Sequence, residues 1–143
     1  MKILSRISGK KLSDIIIETG ERGTVTIDEG THIQTRCSIS AYKGSVLIEK
    51  RVEMAANCAF YRYDHAINPG ELIRNQPLVS EGDIIIEDDV WLGFGCIILQ
   101  NVRLDQGCVV GAGSVVTTDI PAGALAVGNP AKIIDNRIDI KIS

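Results

Sequence analysis

The sequence predicts an all-β chain wound as a parallel β-helix, a solenoid of hexapeptide repeats with one protruding loop and a short C-terminal tail. Three observations carry the prediction. From Ile86 to Pro121 an aliphatic residue returns at every sixth place, as Ile86, Leu92, Ile98, Leu104, Val110 and Val116. Four places after each stands a small or β-branched residue, Val90, Cys96, Val102, Cys108, Ser114 or Ile120. Aromatics are 4% of the 143 residues, too few for a broad globular core but natural for a narrow prism filled by Ile, Val and Leu. A helix repeats its apolar positions about every 3.6 residues and a strand about every second one, so a period of six fits neither as one element. It fits a coil of short strands joined by turns, each coil hydrogen-bonded to the next.

Taken in order, residues 1–14 are polar and weakly patterned and read as a lead-in strand or cap. The repeat begins imperfectly at Ile15 and is plain from Ile27, where IDEGTH and IQTRCS follow the rule and Ile39 opens a third unit. The next starters, Ile48, Met54 and Phe60, come nine residues after Ile39 instead of six, so three residues around Ser40 to Lys43 are expected to bulge from one corner. Between Phe60 and Ile86 the period is lost and Asn68-Pro69-Gly70 supplies turn chemistry. Residues 61–85 therefore contain a loop thrown out from a corner, with the prism resumed near Ile84. A loop of this length inside a compact domain is usually functional or disordered, and its Tyr, Arg, Asp, His and Asn content favours function. Residues 122–143 form a cap or tail; the Ile-rich end from residue 131 suits an edge strand and a terminal helix equally.

The chain has one domain's length, 1–143, with 45% hydrophobic and 23% charged residues and a formal charge of −3. Mild acidity argues against nucleic acid as a partner, because phosphate binding needs a clustered basic face. The basic N-terminal stretch lacks the apolar run of a signal peptide and nothing later is long enough to span a bilayer, so a cytoplasmic location is expected. A membrane surface stays open as a peripheral partner. Cys37, Cys58, Cys96 and Cys108 all occupy the fifth place of a hexapeptide, where the repeat needs a small inward residue. They read as buried structural thiols, with no disulfide and no metal expected.

At this point the residues resemble a known family. The block IIIEDDVWLGFGCIIL, then VVGAGSVVTTDIP and AVGNPAK, is similar to the C-terminal half of hexapeptide-repeat acyltransferases, the group of galactoside, maltose and serine acetyltransferases and polysaccharide O-acetyltransferases. The signal is specific over residues 84–132 and degenerate over 27–60. The resemblance implies a left-handed parallel β-helix, against the usual right-handed preference of parallel crossovers. It also implies a homotrimer with active sites between neighbouring prisms, and acetyl-CoA as donor.

The site residues follow from the same resemblance. A His at the edge of the protruding loop serves the family as general base, and His65 precedes Trp91 by twenty-six residues, in keeping with that layout. Such a base is needed because a sugar hydroxyl is a poor nucleophile at neutral pH and a neutral imidazole can take its proton. Trp91, Gly93, Gly111, Ala112, Thr117 and Lys132 are the expected coenzyme contacts, with the Trp91 ring pointing out at a corner and Lys132 near the CoA phosphates. Gly93 and Gly111, like Gly95 and Gly113, are eighteen residues or one coil apart and should stack. The stacked glycines suit either a bare channel for the pantetheine arm or corners of positive φ. Asp64 reads as an acceptor contact or structural hydrogen-bonder, and Phe94 as narrowing the groove or touching the acceptor. Tyr61, Arg62, Tyr63, Arg74 and Asn75 suit sugar recognition by composition, and His32 reads as a surface corner residue. The reaction implied is acetyl transfer to a sugar hydroxyl in cell-surface polysaccharide or lipopolysaccharide synthesis. N-acetylation of an amino sugar and a non-catalytic scaffold are the alternatives. With two His residues, the three-His zinc carbonic anhydrases of this fold do not fit.

Overall fold

The structure is a computed structural model that describes residues 14–137. The lead-in expected over residues 1–14 lies outside them except for Asp14, as do Ile138 and Ile140 of the tail.

Short β-branched strands separated by two-residue turns fold into three parallel sheets, the faces of a prism. The first face stacks Ile16–Glu18, Ser38–Ser40, Ala59–Tyr61, Ile97–Leu99 and Val115–Val116. The second stacks Thr24–Ile27, Ser45–Ile48, Ile84–Ile86 and Arg103–Leu104. The third stacks His32–Ile33, Glu53–Met54, Trp91–Leu92, Val109–Val110 and Ala124–Gly128. Register places each repeat starter on its counterpart. Leu92 lies between Met54 and Val110, and Ile98 between Phe60 and Val116, and all six are at most 1% exposed. Ala131–Asn136 runs antiparallel against Ala124–Gly128 and closes the third face, so the undecided tail is an edge strand there. Among the described residues there is no α-helix, and no helix is long and apolar enough to cross a membrane.

The corners are built from stacked left-handed residues. Between the third and first faces stand Arg36, Asn57, Gly95 and Gly113, with φ of 58°, 63°, 69° and 71°. Successive amides bond to the neighbouring coil, Gly95 N to Ala56 O at 3.0 Å and Gly113 N to Phe94 O at 2.8 Å. A Cβ at either glycine would meet nothing within 4 Å, so backbone conformation alone selects Gly there. Gly93 is different: its φ is not positive, and a Cβ would come within 2.7 Å of the Ala112 amide nitrogen of the next coil.

Among the described residues, every irregular connection between faces falls at the corner between the first and second faces. Ile98 and Leu104 are joined there in six residues, Ile39 and Ile48 in nine, and Phe60 and Ile86 in twenty-six. The expected outward bulge at Ser40 to Lys43 is not what forms. Ser40 stays in a strand and Ala41 is fully buried, so only the Tyr42-Lys43 turn projects. Stacked coils fix the strands, and insertions collect where the chain already leaves the sheet.

The base of the long loop is fastened by Arg62, whose guanidinium is about nine-tenths buried. It donates to Asp83 Oδ1 at 2.7 Å and to the Tyr42 carbonyl at 3.0 Å. Gly44 leaves room for it, since a Cβ there would lie 1.8 Å from the guanidinium carbon. Arg62 is therefore committed to structure, which corrects its nomination for acceptor recognition. Partial burial would raise the Asp83 carboxyl, but the Ser45 N–H and the Arg62 guanidinium outweigh it and hold the group below its ordinary value of 3.8.

Two expected outcomes test this scaffold. Because the Asp83 pKa is lowered on folding, its contribution is present above about pH 3.8 and lost as the pH falls through the folded-state value. Urea unfolding should find Asp83→Asn less stable than the parent at pH 7 by about 1–3 kcal/mol, with the gap shrinking towards pH 3. In the same assay Gly93→Ala should cost about 1–3 kcal/mol through overpacking. Gly95→Asn should cost much less, since Asn57 already holds that conformation at the equivalent corner.

Candidate active site

The loop that carries His65 has a folded stem. Asp64–His65 pairs antiparallel with Leu78–Val79, His65 opposite Leu78, and Ala66 N donates to Pro77 O at 3.0 Å. Beyond the stem, the buried Gln76 closes the loop on itself. Its Oε1 accepts from Asn68 N at 2.8 Å, and its Nε2 donates to the carbonyls of Asn68 and Glu71, each at 3.0 Å. A single 3-10 turn, Ile73–Asn75, holds Arg74 and Asn75 exposed near Ile67, Leu72 and Ile73, which are also exposed. His65 is thus an exposed side chain on an ordered arm.

Asp64 is occupied structurally, because Gln100 Nε2 donates to its Oδ2. Tyr63 packs edge-on against Tyr42 and Tyr61, with centroids 5.5 Å and 6.3 Å away. Tyr61, Tyr63, Asp64, His65, Arg74 and Asn75 therefore share one loop and its root, while Arg62 sits beneath them.

The expected coenzyme contacts lie elsewhere. Trp91 is 54% exposed on a third-face strand, not at a corner, paired with Glu53 on one side and Val109 on the other. It belongs to a groove of about 480 Å3 whose apolar floor includes Val90, Val109 and Leu125 and whose rim includes Arg51, Glu53, Asp89 and Arg137. Gly93, the exposed Phe94, Gly111 and Ala112 collect near the corner joining the third and first faces. Gly111 is confined by the closing strand pair, since a Cβ there would meet Val127 at 2.6 Å, and Lys132 is the exposed partner of Val127 in that pair. Thr117 stands apart, exposed beyond the opposite end of the first face. Coil packing alone accounts for the four stacked glycines, two by φ and two by close approach. His32 is a strand residue of the third face and not a corner; its Nδ1 lies 2.8 Å from Glu53 Oε1.

A triangular section puts the corner between the first and second faces opposite the third face. One chain therefore does not bring the His65 arm to Trp91.

All four cysteines are buried and unbridged. Cys37, Cys58 and Cys96 share a column that Ser114 continues, and Sγ of Cys58 and Cys96 bond to the carbonyls of Gly93 and Gly111 at 3.3 Å and 3.2 Å. Burial first, then the negative charge of Asp105 and Glu87, pushes the Cys108 thiol up to about 12, so it stays protonated. Among the described residues no cluster of His, Cys, Asp and Glu could hold a metal ion.

Sequence reasoning missed Gln76, Gln100 and the Arg62–Asp83 pair. Gln76 and Asp83 fall where no period operates, and Gln100 sits at an outward place where the repeat accepts almost any residue. No pattern marks them.

Comparison with known proteins agrees with the coil. Residues 83–118 match the family described as bacterial transferase hexapeptide (six repeats). A 2,3,4,5-tetrahydropyridine-2,6-dicarboxylate N-acetyltransferase of Staphylococcus aureus (strain JH9) is 45% identical over 62 residues, 43% of this chain and 26% of that protein. A hexapeptide-repeat acetyltransferase of Vibrio cholerae O1 biovar eltor, solved with acetyl coenzyme A, superposes with a TM-score of 0.77 at 29% identity. The match covers 85% of this chain and 64% of that one. A galactoside acetyltransferase in complex with coenzyme A gives 0.75 at 27% identity, over 86% of this chain and 59% of that one. The chain thus spans about a quarter of the curated relative and under two thirds of each of these solved proteins. By its repeat, its three-faced coil and these likenesses, the chain is a hexapeptide-repeat parallel β-helix similar to acetyltransferases of that fold.

Proposed function

We propose that this chain transfers an acetyl group from acetyl-CoA directly to a sugar hydroxyl, with His65 as general base. The observation that carries the proposal is an exposed imidazole on an ordered arm, in a coil that superposes on acetyltransferases solved with their coenzyme. Neutral His65 takes the hydroxyl proton as the sugar oxygen attacks the thioester carbonyl. The tetrahedral adduct then collapses, the C–S bond breaks, and the imidazolium returns its proton to the departing thiolate. No covalent enzyme intermediate is needed.

The arrangement of the prism supports a homotrimer. His65 and the flank holding Trp91, Gly93 and Ala112 lie on different edges, so a neighbouring copy would complete each site. Lys132, exposed on the closing strand, is suited to the CoA phosphates, whereas Thr117, at the opposite end of the first face, could reach a coenzyme only on another flank. Tyr63, Arg74, Asn75 and Phe94 are exposed or partly exposed groups of the kind that hold a sugar. The acceptor proposed is a polysaccharide or lipopolysaccharide sugar in the cytoplasm, its lipid-linked precursor included. N-acetylation of an amino sugar is the second reading, favoured by the N-acetyltransferase likeness over 62 residues.

Replacing the base separates these readings from a non-catalytic scaffold. His65→Ala should lower kcat about 10²–10⁴-fold, with CoA affinity by calorimetric titration unchanged. Full transfer by this variant overturns the assignment of the base, and absence of CoA binding by the parent overturns the enzyme reading. A panel of sugars and amino sugars, read by thiol release, decides between oxygen and nitrogen.

A further inference from the structure

We infer that Gln100 is a positioning residue for His65, fixing the direction in which the loop presents its imidazole; this rests on the reading of His65 as the base. Gln100 is half-buried just after the first-face strand Ile97–Leu99. Its Nε2 donates to Asp64 Oδ2 on the outgoing arm of the loop, and its Oε1 accepts from Glu81 N on the returning arm at 2.8 Å. One primary amide thus fastens both arms to the coil. The returning arm also lies flush against the neighbouring residue. Asn101 N donates to Gly82 O at 3.1 Å, and a Cβ on Gly82 would come within 2.4 Å of Asn101 Oδ1.

The consequence for His65 comes from strand geometry. Asp64 and His65 are consecutive in extended backbone, where neighbouring side chains project to opposite sides. With Asp64 tied towards Gln100, His65 is turned away from its own coil, out to the flank where an acceptor or a second chain can approach. The other anchors do not set this direction. Arg62 and Asp83 hold the root, Gln76 closes the outer part, and between them the arms share a short ladder, the pairs Asp64–Val79 and His65–Leu78 with the bond from Ala66 N to Pro77 O. A two-stranded ladder of that size is marginal in water unless held by something else.

The test compares Gln100→Met, which keeps the bulk and loses both hydrogen bonds, with Asp64→Ala, the pair combined, and His65→Ala. Gln100→Met should lower kcat about 10–100-fold, the scale for a reacting group displaced by about 1 Å. Its KM for acetyl-CoA should stay within about twofold. The double variant should be no worse than the poorer single, because both changes break one contact. Amide hydrogen exchange at Ala66 and Glu81 should quicken in Gln100→Met. Parental kcat and exchange in Gln100→Met, or losses that multiply in the double variant, overturn the inference. If His65→Ala retains full transfer, the reading of the base fails. Exchange then still decides whether Gln100 holds the arm, and unchanged exchange overturns that too.

Discussion

The structure depends on one constraint, that each coil must lie in register on the coil beside it. Backbone hydrogen bonds cross from coil to coil on all three faces, and the inward aliphatic residues stack at the same step. A strand so held tolerates neither an extra residue nor a side chain aimed the wrong way. Variation is driven to the corners, and there it is also stacked. Left-handed residues form columns, and the three lengthened connections occupy one edge. The histidine loop is the longest of a series that already includes the wider turns at Gly20 and Lys43.

That constraint explains how a narrow prism acquires a site. Over the described residues its interior is filled by aliphatic side chains, Phe60 and small thiols, which leaves the flanks and edges for a site. Chemistry has to be carried on an edge and directed by attachments outside the repeat. Three polar side chains fasten the edge loop here: Arg62 at the root, Gln100 along the arms and Gln76 near the turn. Each satisfies several backbone or carboxylate groups at once, and among the described residues no buried side-chain nitrogen or oxygen lacks a partner. An arm held this way keeps an exposed histidine oriented without burying it.

The repeat was legible from residues such as Ile98 and Cys96 because inward positions permit few side chains. Period and residue size together state which way each points. The edge at which the loop leaves was legible too, from the spacing between Phe60 and Ile86. Ala41 was misjudged because an insertion changes the count without saying which of its residues face inward. Arg62 was misjudged because composition cannot tell a guanidinium that recognises a sugar from one that ties down a loop; only the Asp83 carboxylate and the room at Gly44 decide it. The glycines were ambiguous for a similar reason, since a positive φ and a close approach select the same residue. Trp91 was expected at a corner and lies on a face because its strand begins at Trp91 itself.

The central claim is that an edge loop of one chain delivers His65 to a thioester lying on the flank of its neighbour. Solving the structure with CoA bound tests it most directly. The account predicts the coenzyme thiol beside Gly93 and Gly111 of one chain, with His65 of an adjacent chain facing it across space for one hydroxyl. A thiol out of reach of every His65, or a monomer that binds CoA with His65 turned to solvent, contradicts it.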